Sequence, residues 1–127
     1  MASGKVVEVS AEEWAKEVVV SDSLVVVDFW QKGCYWCKRL SPEYDELATK
    51  YNEKQVKFVK MEISRKEKNA HIAAHYGLQR TPTVMFLCKG FPVGEIVGYR
   101  PKRMFKAAVD ETLVTYKKCM EKSTPLK

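Results

Sequence analysis

Leu24 to Trp30 reads Leu-Val-Val-Val-Asp-Phe-Trp, an apolar run broken by a single carboxylate. A run this short and this apolar fits a strand buried on both faces, at the centre of a sheet covered by helices. Asp28 is the residue such a strand should not hold. Its charged form is costly to take out of water, so burial raises its pKa unless a partner intervenes. The run leads through Gln31 and Lys32 to Gly33-Cys34-Tyr35-Trp36-Cys37, a cysteine pair between the strand and the next helical pattern.

The flanking segments supply the rest of an α/β chain. Val6, Val7 and Val9 form a short strand. Ser10 opens a helix, with Glu13 placed to complete a capping box and Trp14, Val18 and Val19 as its apolar side. After the cysteine pair, Cys37, Leu40, Tyr44, Leu47, Ala48 and Tyr51 recur at helical spacing, with a kink expected at Pro42. Val56 to Ile63 alternates as a strand. Ser64 and Glu67 suggest a second capping box, opening a helix that stops at Gly77. Thr83–Leu87 and Val93–Val97 pair as a hairpin around Lys89-Gly90. Pro101 then sits in the first turn of a last helix carrying Met104, Phe105, Ala108, Val109 and Leu113. The order is β-α-β-α-β-α-β-β-α. Early crossovers imply parallel strands and the late hairpin an antiparallel edge, so the sheet is mixed.

A chain of 127 residues suits a single domain, residues 1–127, with an ordered core of about 5–120 and a frayed tail at Ser123–Lys127. Four cysteines are too few for a disulfide scaffold; Cys88 and Cys119 stand alone and read as packing or surface thiols. The net charge of +6 could suit nucleic acid, yet the basic residues are interleaved with acids, as in Lys66-Glu67-Lys68. No nucleic-acid partner is expected. Met1 to Ser10 lacks the apolar run of a signal peptide, and no apolar stretch approaches the roughly 20 residues of a membrane span. The expectation is a soluble, cytoplasmic protein with no membrane partner.

The position of the cysteine pair gives it a mechanism. A cysteine at a helix start meets unpaired backbone N–H groups and the positive end of the helix dipole. Its thiolate is stabilised there and becomes nucleophilic at neutral pH. The second cysteine, three residues later, faces back and can close a small ring. Lys32, Lys38, Arg39 and, further along, Arg80 can add positive charge. A metal site built from the pair with His71 and His75 is the weaker alternative, since one cysteine pair is only half a zinc site. No metal is expected.

Val26-Val27-Asp28-Phe29-Trp30-x-x-Gly33-Cys34-x-x-Cys37-Lys38-x-Leu40-x-Pro42 resembles the active-site segment of the thioredoxin family. Tyr76-Gly77-Leu78-x-x-x-Pro82-Thr83 resembles that family's cis-proline segment, and Gly98 matches a glycine beside the substrate groove. The resemblance implies a thioredoxin-like α/β fold, a central mixed sheet flanked by about four helices. It implies that Cys34 attacks substrate disulfides and Cys37 resolves the mixed disulfide. Asp28 would assist proton transfer with Cys37, with Lys60 beside it; the alternative is a buried Asp without a chemical role. Pro82 would be cis, with Thr81 turned toward Cys34 to pair with an extended substrate. Trp30 would pack beside the cysteines. The thiols carry the electrons, so no cofactor is implied beyond an external reductant such as a thioredoxin reductase. A monomer acting on disulfide-containing proteins, in electron transport and cell redox homeostasis, follows from the same resemblance.

The chain also departs from the family pattern. Gly33 stands where a Trp is common, Tyr35-Trp36 replaces Gly-Pro, and Arg80-Thr81 precedes the proline. These positions tune thiol pKa and potential, and Trp36 can replace lost docking surface. A reductase is the leading reading. An oxidase or isomerase, or a partner-binding module without catalysis, remain the alternatives.

Overall fold

The computed structural model describes residues 6–116. Leu24–Trp30 forms β2, paired in parallel with β3 (Val56–Glu62) and antiparallel with β4 (Thr83–Cys88). β1 (Val7–Glu8) adds in parallel outside β3, and β5 (Phe91–Val97) antiparallel outside β4, giving the order β1-β3-β2-β4-β5. The apolar run is therefore the middle strand of the mixed sheet, and every residue from Leu24 to Phe29 is buried.

Side chains alternate along β2 between two cores. Leu24 and Val26 meet Leu40, Tyr44 and Leu47 of α1 (Tyr35–Ala48) and Phe105 and Val109 of α3 (Lys102–Thr115). Val25, Val27 and Phe29 meet Trp14 and Val18, with Ile72 of α2 (Glu67–His75) packed alongside. Three- and four-residue spacing puts the buried residues of α1 on one stripe, and the helix runs continuously through Pro42. Tyr44 locks that stripe to the sheet. Its hydroxyl lies 2.9 Å from the Val26 carbonyl and 2.8 Å from that of Val59, spanning β2 and β3.

The predicted first helix is a 3₁₀ turn, Ala11–Glu13, followed by a π-helical turn, Ala15–Val19. Glu13 does cap it, accepting from the Ser10 N–H at 2.9 Å. Val19, expected on the apolar side, is 36% exposed, and Val18 is the buried residue of this turn. The second capping box does not form. The Ser64 hydroxyl donates to the Glu62 carboxylate and its oxygen accepts from the Lys32 N–H at 3.3 Å, so it is engaged away from the helix, and α2 begins after Lys66 with no side-chain cap. Its end follows the expectation: Gly77 takes φ +72° and Leu78 N–H returns to the Ala73 carbonyl at 3.0 Å. Lys89 and Gly90 both take positive φ, the two-residue hairpin turn. Met104, expected inside, faces out from α3. Cys88, expected as a packing or surface thiol, is buried and disulfide-bonded, whereas Cys119 and the predicted frayed tail lie outside the described residues.

Tyr44→Phe keeps the ring packing and deletes only the hydroxyl that spans β2 and β3. Urea unfolding is expected to show a loss of about 1–2 kcal/mol for that variant.

Candidate active site

The site lies where β2 gives way to α1. Gln31 to Cys34 form the connecting turn, with the Cys34 N–H 3.4 Å from the Gln31 carbonyl. Gly33 takes φ +81° in that turn, a conformation that side-chain-bearing residues seldom adopt. Cys34 is the N-cap of α1, and its Sγ accepts the Cys37 N–H at 3.2 Å. One orphan donor of the helix start thus points at the sulfur that would carry negative charge.

Cys34 and Cys37 are joined in a disulfide. Cys34 is partly exposed, while Cys37 is 4% exposed. The two sulfurs therefore differ in access, and an incoming group meets Cys34 first. The Thr81–Pro82 bond is cis. The Thr81 hydroxyl lies 3.5 Å from Cys34 Sγ and accepts from Gln31 Nε2 at 3.1 Å. Gly98 joins this rim through its N–H, 2.7 Å from the Pro82 carbonyl.

Behind the cysteines is a cavity of about 460 Å³ lined by Asp28, Trp30, Cys34, Cys37, Ser41 and Lys60. Asp28 is 1% exposed and its Oδ1 has no hydrogen-bond partner. Burial pushes its pKa up to about 7; Lys60 pulls the other way, and the carboxylates of Glu8 and Asp45 add to the rise. Lys60 sits opposite Asp28 in the β2–β3 register and donates to Ser41 Oγ at 3.0 Å. Trp30 lies with the cysteines in the cavity wall, its ring centroid 5.9 Å from the Lys60 ammonium.

The family model for thioredoxin matches residues 5–111. The chain is 33% identical over 109 residues to a thioredoxin of Chlorobaculum thiosulfatiphilum, covering 86% of this chain and 97% of that one. It is 36% identical over 98 residues to thioredoxin 1 of Synechococcus elongatus, covering 77% and 88%. Among solved structures, the short form of thioredoxin f from spinach chloroplast superposes with a TM-score of 0.74 at 28% identity, covering 87% and 97%.

The chain belongs to the thioredoxin family. It is a thiol–disulfide oxidoreductase of the protein-disulfide reductase kind, and Cys34 and Cys37 are its redox pair. Several features of this thioredoxin-family site were invisible in the sequence. Gln31 reaches Thr81 from fifty residues away, a contact no local pattern announces. Tyr35 and Trp36 are exposed, and the Trp36 and Tyr99 ring centroids lie 5.4 Å apart in a tilted arrangement. The Arg39 guanidinium lies over both the Trp36 and Tyr99 rings, at 5.8 and 5.5 Å. Of the four basic residues expected around Cys34, Lys32 and Lys38 line the cavity, while Arg39 is drawn to the aromatic rings. Arg80 is outside the cavity lining, its carbonyl held by the Thr83 hydroxyl at 2.7 Å.

Asp28 keeps its proton to about pH 7 when folded, but only to the ordinary carboxylate range when unfolded. The folded state binds the extra proton between those values. Stability is thus greatest at the acid end of this window and falls as pH rises to about 7, by about 1.4 kcal/mol per unit crossed. Urea titrations at about pH 5 and about pH 8 should show that loss in the wild type and a much smaller one in Asp28→Asn. A second expectation concerns the sulfur: Thr81→Val removes the facing hydroxyl. The Cys34 thiolate absorbance of the reduced protein should then titrate about half a pH unit higher.

Proposed function

We propose that Cys34 is the attacking thiolate and Cys37 the resolving thiol, with Asp28 and Lys60 managing the proton of Cys37. The observation carrying this reading is the asymmetry of the pair: an accessible N-cap sulfur bonded to a buried one, backed by a cavity that holds the raised carboxyl. In the reduced protein, Cys34 thiolate attacks one sulfur of a substrate disulfide and expels the other as a thiolate. Cys37 gives its proton to the Asp28 carboxylate, and the resulting thiolate attacks Cys34 Sγ. The second substrate thiolate leaves, and the pair ends as the disulfide. Two electrons have moved to the substrate. A carboxyl with a pKa near neutrality suits both halves of that transfer.

In this reading Thr81 and Pro82, with Gly98, line the strip against which an extended substrate segment lies, and Trp30, Gly33, Tyr35 and Trp36 form the rest of the contact surface. Substrates are disulfide-containing proteins, with acidic ones favoured by Lys32 and Lys38 beside the cavity. No organic cofactor takes part. The electrons come from an external reductant such as a thioredoxin reductase, which places the protein in electron transport and redox homeostasis. One copy holds the whole site, so the working unit is a monomer. A reducing compartment suits the dithiol form; the cytoplasm is the proposed one, and the plastid of the spinach neighbour is the other setting to examine. Among the described residues no helix is long and apolar enough to cross a membrane.

Cys37→Ser should accumulate mixed disulfides visible on non-reducing gels, and Cys34→Ser should abolish exchange. Full exchange in Cys34→Ser sinks the assignment. Equilibration with glutathione should return a potential nearer about −270 mV; about −180 mV would instead mark an oxidant or isomerase.

A further inference from the structure

The strand register puts three ionisable residues in one row across the sheet. Glu8 of β1 pairs with Lys60 of β3, and Lys60 pairs with Asp28 of β2. Partners in register point to the same face, so both carboxylates flank one ammonium on the side covered by α1. Glu8 also accepts the Trp30 indole N–H at 3.2 Å, while the Trp30 ring lies beside Lys60. The edge residue is thus in register with the lysine and hydrogen-bonded to the aromatic wall of the cavity. Nothing in the motif around the cysteines requires an acid at position 8.

We propose that Glu8 is a positioning residue for the proton-transfer site: it anchors Trp30 and competes with Asp28 for the charge of Lys60. The proposal rests on the reading of Asp28 as the group that handles the Cys37 proton.

The physical argument follows from the row. An ionised Glu8 repels negative charge on Asp28 and draws on the positive charge that would stabilise it. Both effects hold the proton on Asp28 to higher pH, in line with the part Glu8 plays in the raised Asp28 pKa. The Glu8 carboxyl is itself shifted upward from its ordinary value, first by partial desolvation although the residue is exposed at the sheet edge, with Trp30 and Lys60 opposing the rise. The other groups facing Asp28 come from α1, chiefly Asp45, Tyr44 and Cys37. On the β4 side its partner is the apolar Val84. Asp45 acts in the same sense as Glu8, so removing Glu8 lowers the Asp28 midpoint without emptying the site of repulsion. Lys60 donates to Ser41, which holds the ammonium in place when Glu8 is neutralised.

Glu8→Gln removes the charge and keeps an acceptor for the indole, separating electrostatics from anchoring. The Asp28 carboxyl is titrated by carbon-13 NMR on the disulfide form, where neither Cys34 nor Cys37 contributes a coupled proton. Across two strand spacings, about 10 Å, the lost charge should lower the Asp28 midpoint by roughly half a pH unit or more at low salt. The shift should shrink in high salt. The same variant should move the pH profile of disulfide reduction in the same direction, with the Trp30 fluorescence spectrum retained. An unmoved Asp28 midpoint in Glu8→Gln overturns the proposal whatever the activity does. A moved midpoint with an unmoved rate profile upholds the coupling and instead removes Asp28 from the exchange chemistry.

Discussion

Asp28 occupies the middle strand of a five-stranded sheet with one carboxyl oxygen unpartnered, and the active-site end is organised around that cost. An ionised carboxylate in such a place is expensive, so the group retains its proton to about neutrality. The cost is tolerable because the rest of β2 is buried hydrocarbon that stabilises the sheet from both faces. Lys60, one strand away, limits the rise in pKa. The result is a carboxyl that titrates near neutrality in the wall of the cavity that Cys37 also lines.

The second constraint is the start of α1. The stripe of Leu40, Tyr44, Leu47 and Ala48 fixes how this helix lies on the sheet, and the Tyr44 hydroxyl pins it across β2 and β3. Packing in the core therefore decides where the helix N-terminus points. Cys34 sits at that N-cap with an N–H directed at its sulfur, and Cys37 is carried inward by one helical turn. The difference in access between the two sulfurs is a consequence of the same helix geometry.

Much of this was legible along the chain. Β2 was readable because an almost purely apolar run allows few other environments, and α1 because its apolar residues recur at helical spacing. The cysteine pair, Asp28, Lys60 and the proline motif were legible as a resemblance. The helix starts were less so. Ser10-x-x-Glu13 and Ser64-x-x-Glu67 have the same pattern, yet only Glu13 caps; Ser64 turns to the charged Glu62 carboxylate instead. A local pattern cannot weigh competing partners supplied by the preceding strand and by the turn after β2. Asn69 shows the same limit, bridging the Ala11 N–H and the Glu62 carbonyl at 2.8 Å each.

The sequence by itself determined the elements and their order, the reactive pair at the end of a buried strand, and the misplaced acid beside it. These follow from periodicity, turn chemistry and solvation, which act over a few residues. Only the tertiary structure decided what surrounds the pair. Thr81 and Gln31 meet at Cys34, Tyr99 and Arg39 assemble on Trp36, and Glu8 enters the row of Lys60 and Asp28. Each of these contacts depends on strand register or on chain segments distant in sequence. Register is set by the packing of the whole sheet, so no single segment carries it.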